Sequence, residues 1–299
     1  PPLTFISQLH EDSWVVLELS SFQLIDLRES PHIAAVLMIA PEHLNWHEDM
    51  EEYIAAKQQL FIHQSSDDIA VYFEDNEDSL SIADATEGQL VPYYAEPGAT
   101  VKDDMVRIES NDICSIHDLR LLGKHNWQNV CAATTIAWQV TQNIDAFREA
   151  LTSFSGLPHR LELVAEIAGV KYYDDSFGTT PETAIVALEA FTQPKVVILG
   201  GSDKGADFDE LAGAVTKNNV RAVVYIGATG PAIAKTLKGR GFKELHQGGE
   251  TMESIVSTAR NLAQPGDVVL LSTGCASFGL FKDYKDRGDQ FIRAVKQLS

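Results

Sequence analysis

Short apolar runs separated by mixed, helix-periodic stretches set the pattern of this chain. Trp14–Leu19 (WVVLEL) and Ala34–Ala40 (AAVLMIA) predict strands buried on both faces of a parallel sheet. Over 49–61 the apolar positions Met50, Ile54 and Phe61, joined by Tyr53 and Leu60, follow the 3.6-residue repeat, so a helix is expected. Ile69–Phe73 is another apolar run, and 90–122 carries shorter alternating pieces expected to form a small β meander at a sheet edge. Helices are predicted over His125–Gln139 and Asn143–Phe154, the second with Ile144, Phe147, Leu151 and Phe154 on one side.

A Ser, Gly and Pro cluster at Ser153–Pro158 reads as a linker. Beyond it, Val196–Leu199, Ala222–Ile226 and Val268–Leu271 predict strands with helices between them. Thr180 followed by Pro181 reads as a helix N-cap and first helical residue. Asp207 with Glu210 reads as a capping-box start. Strand–helix alternation of this kind predicts a doubly wound α/β domain.

Composition narrows the class. At ~150 residues per domain, a chain of 299 residues fits two domains. With 43 acidic against 23 basic residues the formal charge is −20, which argues against non-specific nucleic-acid binding but leaves anionic substrates open in local basic pockets. Cys114, Cys131 and Cys275 are far apart and form no CxxC pair, so neither a disulfide framework nor a cysteine zinc site is indicated, and a reducing cytoplasm fits. No apolar run reaches the ~20 residues of a membrane span, and no signal peptide is visible. The chain starts at Pro1 and is expected to continue from something longer.

The chain contains neither a GxxxxGK[ST] phosphate loop nor a GxGxxG fingerprint. Gly200–Gly205 (GGSDKG) follows a strand; it reads either as a plain turn or, with Lys204 at the sheet's carboxyl edge, as an anion site. Lys57 falls on the apolar face of the 49–61 helix. It either snorkels to solvent or is held partly buried, neutral and reactive enough to take up CO2 as a carbamate. His43 and His47 have metal-compatible i, i+4 spacing if helical, but lack a third ligand. Glu18, closing an apolar strand, is a hard-metal candidate or a solvated charge. Asp174-Asp175-Ser176, with Thr179 and Thr180, forms an anion-friendly corner or a simple helix cap. Cys275 invites a nucleophile reading, but no His or Asp is tied to it by spacing.

Seven segments together resemble the Mur ligase family, and its D-glutamate-adding members in particular. They are LELSSFQL (17–24), the EHLNWH…YIAAK run (42–57), GKHNWQN (123–129), FSGLPHRLELV (154–164), YYDDSFGTTPET (172–183), LGGSDKGADF (199–208) and LSTGCASFGLFKDYKDRGDQF (271–291). They follow the family's order over nearly the whole chain. The resemblance implies a partial central ATP-binding domain over 1–156 and a Rossmann-like D-glutamate-binding domain over 157–299. The family's amino-terminal domain and its phosphate loop are not among these residues.

What the resemblance implies chemically is ATP-dependent amide formation through an acyl phosphate, joining D-glutamate to UDP-N-acetylmuramoyl-L-alanine for peptidoglycan, in a cytoplasmic monomer. Glu18 would bind one of two Mg2+ ions; His43 and carbamylated Lys57 would hold the other. Ser20 would lie near the sugar substrate. Asn126 and Asn129 would sit at the adenine, with His125 beside them, while Arg160 would reach the phosphates and Asp175 the ribose. Thr179, Lys204 and Ser277 would hold D-glutamate, in a pocket lined by Phe278 and Tyr284, and Cys275 would be structural. Phe177 stands where many members carry a lysine, Tyr284 where phenylalanine is common, and Ile25 where glutamate is frequent. Two rivals remain: a non-catalytic binding protein of the same family, and a sister ligase adding another amino acid.

Overall fold

The computed structural model describes residues 6–41, 46–202 and 205–298. Two predicted site residues, His43 and Lys204, lie outside that range. The chain divides into two compact units, one of Pro1–Ile113 and Gln128–Phe147, the other of Cys114–Trp127 and Arg148–Ser299.

The first unit begins with a short helix, α1 (Ser21–Leu24), and a parallel sheet of β1 (Ile33–Ala35), β2 (Ile69–Phe73) and β3 (Gln89–Tyr93), in that order. Helices α2 (Met50–Gln58) and α3 (Glu77–Ala83) supply Tyr53, Ile82 and Ala83 to a core that also holds Phe61 and Ala70. Asp49 caps α2 by accepting from the Glu52 amide. The expected edge meander is a separate three-stranded sheet of β4 (Ala99–Lys102), β5 (Met105–Ile108) and β6 (Asn111–Ser115). It is followed by α4 (Lys124–Trp138) and α5 (Ile144–Ser153).

Two expectations fail here. Trp14–Leu19 is not a strand: Trp14 is 61% and Val16 93% exposed, in chain without regular secondary structure. Among the described residues it pairs with no neighbour, and an apolar run without a ladder partner has nothing to bury against. The strand predicted over Ala34–Ala40 shrinks to β1 for a related reason, since Leu37 and Met38 are half-exposed past its end.

In the second unit a six-stranded sheet has the order β11-β10-β9-β12-β8-β7. Its strands are β7 (Glu162–Ile167), β8 (Val170–Asp174), β9 (Lys195–Leu199), β10 (Val220–Tyr225), β11 (Leu245–Gln247) and β12 (Val268–Leu271). All neighbours are parallel except β7, an antiparallel edge strand. The central strands β9 and β12 are buried at every position, as the apolar runs Val196–Leu199 and Val268–Leu271 require, with Lys195 also buried at the start of β9. Alternate side chains feed two cores. Val197, Val223 and Leu270 meet α6 (Pro181–Glu189), α7 (Asp209–Lys217) and α8 (Gly230–Gly239) on one face. Ile198, Val224 and Val269 meet α9 (Met252–Leu262) and α10 (Tyr284–Lys296) on the other. This is the doubly wound fold expected from the sequence. Thr180 and Pro181 start α6 as predicted, with Thr183 completing the capping box. The start of α7 differs: Phe208 is its N-cap, and Asp207 instead accepts from the Asp209 amide, a local turn that postpones the helix. Among the described residues, no helix is long and apolar enough to cross a membrane.

Candidate functional site

At the carboxyl edge of the second unit's sheet, three loops meet around β8, β9 and β12. The loop after β8 carries Asp175, Ser176 and Thr179. The loop after β9 begins Gly200-Gly201-Ser202, and the loop after β12 carries Cys275, Ser277 and Phe278. Ser202 bridges to Ala276, its amide donating to the Ala276 carbonyl at 2.9 Å. Gly201 permits this approach, because a Cβ there would stand 2.2 Å from that carbonyl oxygen. Ser277 is buried, while Phe278 is exposed and Thr179 half-buried.

Arg287 ties two of these loops from beneath. Fully buried on α10, it reaches across to Ser176 and donates through Nη1 to the Cys275 carbonyl at 3.0 Å. Ser176 Oγ in turn donates to the Tyr284 carbonyl at 2.7 Å, fixing the start of α10. Burial pulls the guanidinium down to about 10, against the opposing charges of Asp174 and Asp175. Sequence reasoning missed Arg287. The signal was present, because Arg287 shares a helix face with buried Phe291 and Ala294, the same anomaly that singled out Lys57.

Asp175 is nearly inaccessible. Its Oδ1 accepts from the Leu161 amide at 3.2 Å and its Oδ2 from Ser272 Oγ at 2.7 Å. Burial nevertheless pushes its carboxyl up to about 6, and neighbouring Asp174 adds to the rise while Arg160 opposes it. Asp174, wholly buried, pairs with His159 Nδ1 at 2.8 Å, and Glu162 accepts from the His159 amide at 2.9 Å. His159, Glu162 and Asp174 stand close enough together to ligate a metal, but these contacts already satisfy one another.

Arg160 is exposed, with its guanidinium carbon 5.5 Å from the centroid of the Phe177 ring. Phe177 packs edge-on against Tyr284, centroids 5.3 Å apart. Burial lowers the affinity of His125 for a proton, and the charge of Arg160 lowers it further, so the start of α4 and Arg160 share one electrostatic neighbourhood. On α4, Asn126 donates to the Leu122 carbonyl at 2.6 Å; Asn129, three residues on, is exposed.

In the first unit Glu18 is exposed in the extended segment before α1, and Ser20 caps α1 in a capping box with Gln23. Lys57 is half-buried on the face of α2 that carries buried Tyr53, with Nζ 5.0 Å from the Tyr53 ring centroid. His47 is not helical. It precedes α2 and bonds Ser21 Oγ through Nε2 at 2.9 Å, so the helical condition on the predicted histidine spacing is not met at His47. Cys275 is buried, its Sγ 3.3 Å from Thr229 Oγ1, and all three cysteines are buried thiols. Burial raises the thiols of Cys114 and Cys131, as expected of packing residues.

Comparison with known proteins matches residues 3–137 to the Mur ligase middle domain and 159–275 to the Mur ligase glutamate ligase domain. Curated relatives include the UDP-N-acetylmuramoylalanine–D-glutamate ligase of Acetivibrio thermocellus, 37% identical over all of this chain and 66% of its own length. The ligase of the same name from Bacillus subtilis is 36% identical over 96% of this chain and 64% of its own length. That of Symbiobacterium thermophilum is 37% identical over all of this chain and 68% of its own length. The chain thus spans about two thirds of these relatives. Among solved structures, MurF of Acinetobacter baumannii superposes with a TM-score of 0.66 at 18% identity, over 82% of this chain and 57% of its own. A folylpolyglutamate synthase of Mycobacterium tuberculosis, solved with ADP, gives 0.60 at 16% identity, over 89% of this chain and 63% of its own. At such identities these likenesses establish the fold alone.

Proposed function

Because the chain belongs to the Mur ligase family, we infer that it forms the greater part of an ATP-dependent ligase that joins D-glutamate to UDP-N-acetylmuramoyl-L-alanine. The observation that carries this reading is the convergence of Asp175, the Gly201–Ser202 turn and Ser277 at one sheet edge, the place where open α/β sheets take ligands.

In the proposed reaction the carboxylate of the muramoyl-alanine attacks the γ-phosphate of ATP and ADP departs. The amine of D-glutamate then attacks the acyl phosphate, losing a proton as phosphate leaves. Such chemistry is mostly positioning and neutralisation of charge. Asn126 and Asn129 offer amide groups to a base from one helix. Asp175 offers its carboxyl to ribose hydroxyls. Arg160, an exposed cation, meets phosphate. Thr179, Ser277 and Lys204 hold the two carboxylates of D-glutamate, with Phe278 and Tyr284 against its methylenes. Ser20 contacts the sugar substrate.

The donor set in the first unit fits a hard cation. Glu18 is an accessible carboxylate, and Lys57 on its half-buried face becomes an oxygen donor once carbamylated. Glu18 would hold one Mg2+ and His43 with Lys57 the second; bound there, the ions would neutralise phosphate charge. The domains implied are an ATP-binding region over 1–156 and a D-glutamate-binding region over 157–299.

Binding by the chain itself tests the acceptor assignment. Titration with D-glutamate, L-glutamate, D-alanyl-D-alanine and meso-diaminopimelate, followed by amide shifts, should perturb Thr179 and Ser277 with D-glutamate and not with the others. Equal response to all four, or to another amino acid alone, would sink the D-glutamate reading.

A further inference from the structure

The carboxyl ends of β10 and β11 border a cavity of about 560 Å3 that Asp175, Thr179 and Ser277 do not line. Its lining includes Tyr225, Gly227, Ala228, Gln247, Glu250 and, on the side of the acceptor site, Phe278. The topology explains why it is there. The connection leaving β10 runs to α8, which packs Ile233 and Leu237 on one face of the sheet. The connection leaving β11 runs to α9, which packs Ile255 and Val256 on the other. Adjacent parallel strands whose loops diverge to opposite faces leave a crevice at their carboxyl ends, and open α/β sheets bind ligands in such crevices.

β10, α8 and β11 also form a parallel βαβ unit with a recognisable division of labour. Gly227, at φ +65°, makes the tight turn out of β10. Gly230, opening α8, lets the helix close on the strand, for a Cβ there would stand 3.2 Å from Tyr225 Cδ2. Glu250 follows the end of β11, twenty residues beyond Gly230, and is exposed. In nucleotide-binding βαβ units a turn glycine and a helix-packing glycine have these two roles, five positions apart against three here, and an acidic residue about 20 positions on accepts from the ribose hydroxyls. The middle glycine, which admits a pyrophosphate, is missing. Ala228 and Thr229 occupy that stretch, and Thr229 Oγ1 is engaged by the Gly201 amide at 2.9 Å. Among the described residues no lysine or arginine lines the cavity. The chemistry therefore suits a ribose and a base and disfavours a diphosphate.

We propose that this cavity is a ribonucleoside site, with Glu250 accepting from the ribose hydroxyls and Tyr225 and Phe278 flanking the base. The site shares Phe278 with the proposed D-glutamate pocket, but its test reads Gly227, Gly249 and Glu250, which that pocket does not use, so the two readings fail separately.

Adenosine titrated into the isotope-labelled chain is the test. The amides of Gly227, Gly249 and Glu250 should shift saturably, with a submillimolar Kd. Glu250→Gln should weaken binding at least about tenfold, and 2′-deoxyadenosine should bind the unaltered chain about tenfold more weakly than adenosine, each change being one ribose hydrogen-bonding partner lost. Ala228→Trp, at an exposed position on the rim, should block it. NAD+ should bind no tighter than adenosine. Absence of saturable shifts at these amides by about 5 mM would overturn the proposal, since that concentration exceeds a submillimolar Kd several-fold. So would equal affinity for the deoxynucleoside, or a gain from the pyrophosphate.

Discussion

Arg287 holds Ser176 twice, donating from Nε to its hydroxyl at 2.8 Å and from Nη2 to its carbonyl at 2.8 Å. A third bond goes to the Cys275 carbonyl, so one buried guanidinium sets the spacing between the loop of Asp175 and the loop of Ser277. Arg287→Met keeps much of the volume but strands two carbonyls. Loss of the buried charged contacts should cost about 3–5 kcal/mol. Urea unfolding followed by Trp-independent far-UV signal should show the loss. Arg287→Lys restores charge without the planar fork and should recover only part of it. Full stability in the methionine variant would deny Arg287 this clamping role.

Asp175 should oppose folding at neutral pH. Its carboxyl is raised to about 6 in the folded protein, chiefly by burial, against an ordinary value of 3.8. The folded state then binds more protons than the unfolded one between those pH values, so stability falls as pH rises from about 4 to 6. The cost above pH 6 is on the order of 2–3 kcal/mol, the Ser272 bond already having offset part of the burial. Asp175→Asn is expected to melt higher than the unaltered protein at pH 7, with the difference closing by about pH 4. The same variant should bind ATP more weakly. A difference that does not change with pH would place the effect elsewhere.

Gly201 should tolerate no side chain. A Cβ would press on the Ala276 carbonyl at 2.2 Å, and backbone does not yield cheaply. Gly201→Ala is expected to lose about 1–3 kcal/mol and to separate the 200–202 turn from Ser277. Amide exchange at Ser202, whose N–H is the bridging donor, gives the direct readout. Unchanged protection there would contradict the close approach.

Lys57 carbamylation is open to direct observation. With 13C-labelled bicarbonate, a carbamate resonance should appear in the protein and be absent from Lys57→Ala. A signal that persists in the variant would locate the carbamate on another amine, and no signal in either would remove Lys57 from the metal set.

Much of the second unit is legible in the sequence because its signals are local. VVIL and VVLL are buried on both faces wherever they fall in a parallel sheet, and Thr180-Pro181 caps a helix by its own chemistry. β11, three residues long and only half-buried, offers no apolar run to read. Trp14–Leu19 fails in the opposite direction: its pattern is that of a buried strand, but burial depends on neighbours that pattern does not encode. The site divides likewise. Asp175, Ser277 and Tyr284 are visible as members of motifs, while the Asp174–His159 pair and the Arg287 clamp join residues 15 and 111 positions apart, which spacing alone cannot relate.

The exposed run at Trp14–Leu17 also governs how the protein behaves as a colloid. It is a β-prone, proline-free ribbon with four large apolar side chains facing water, the composition that pairs edge to edge between molecules. Between copies of these 299 residues the net charge of −20, with Glu18 at the end of the run, sets a long-range repulsion against such pairing. That repulsion reaches ~30 Å at 0.01 M salt and only ~3 Å at 1 M. For these 299 residues the opposing repulsion is therefore strong in dilute buffer and nearly abolished in concentrated salt.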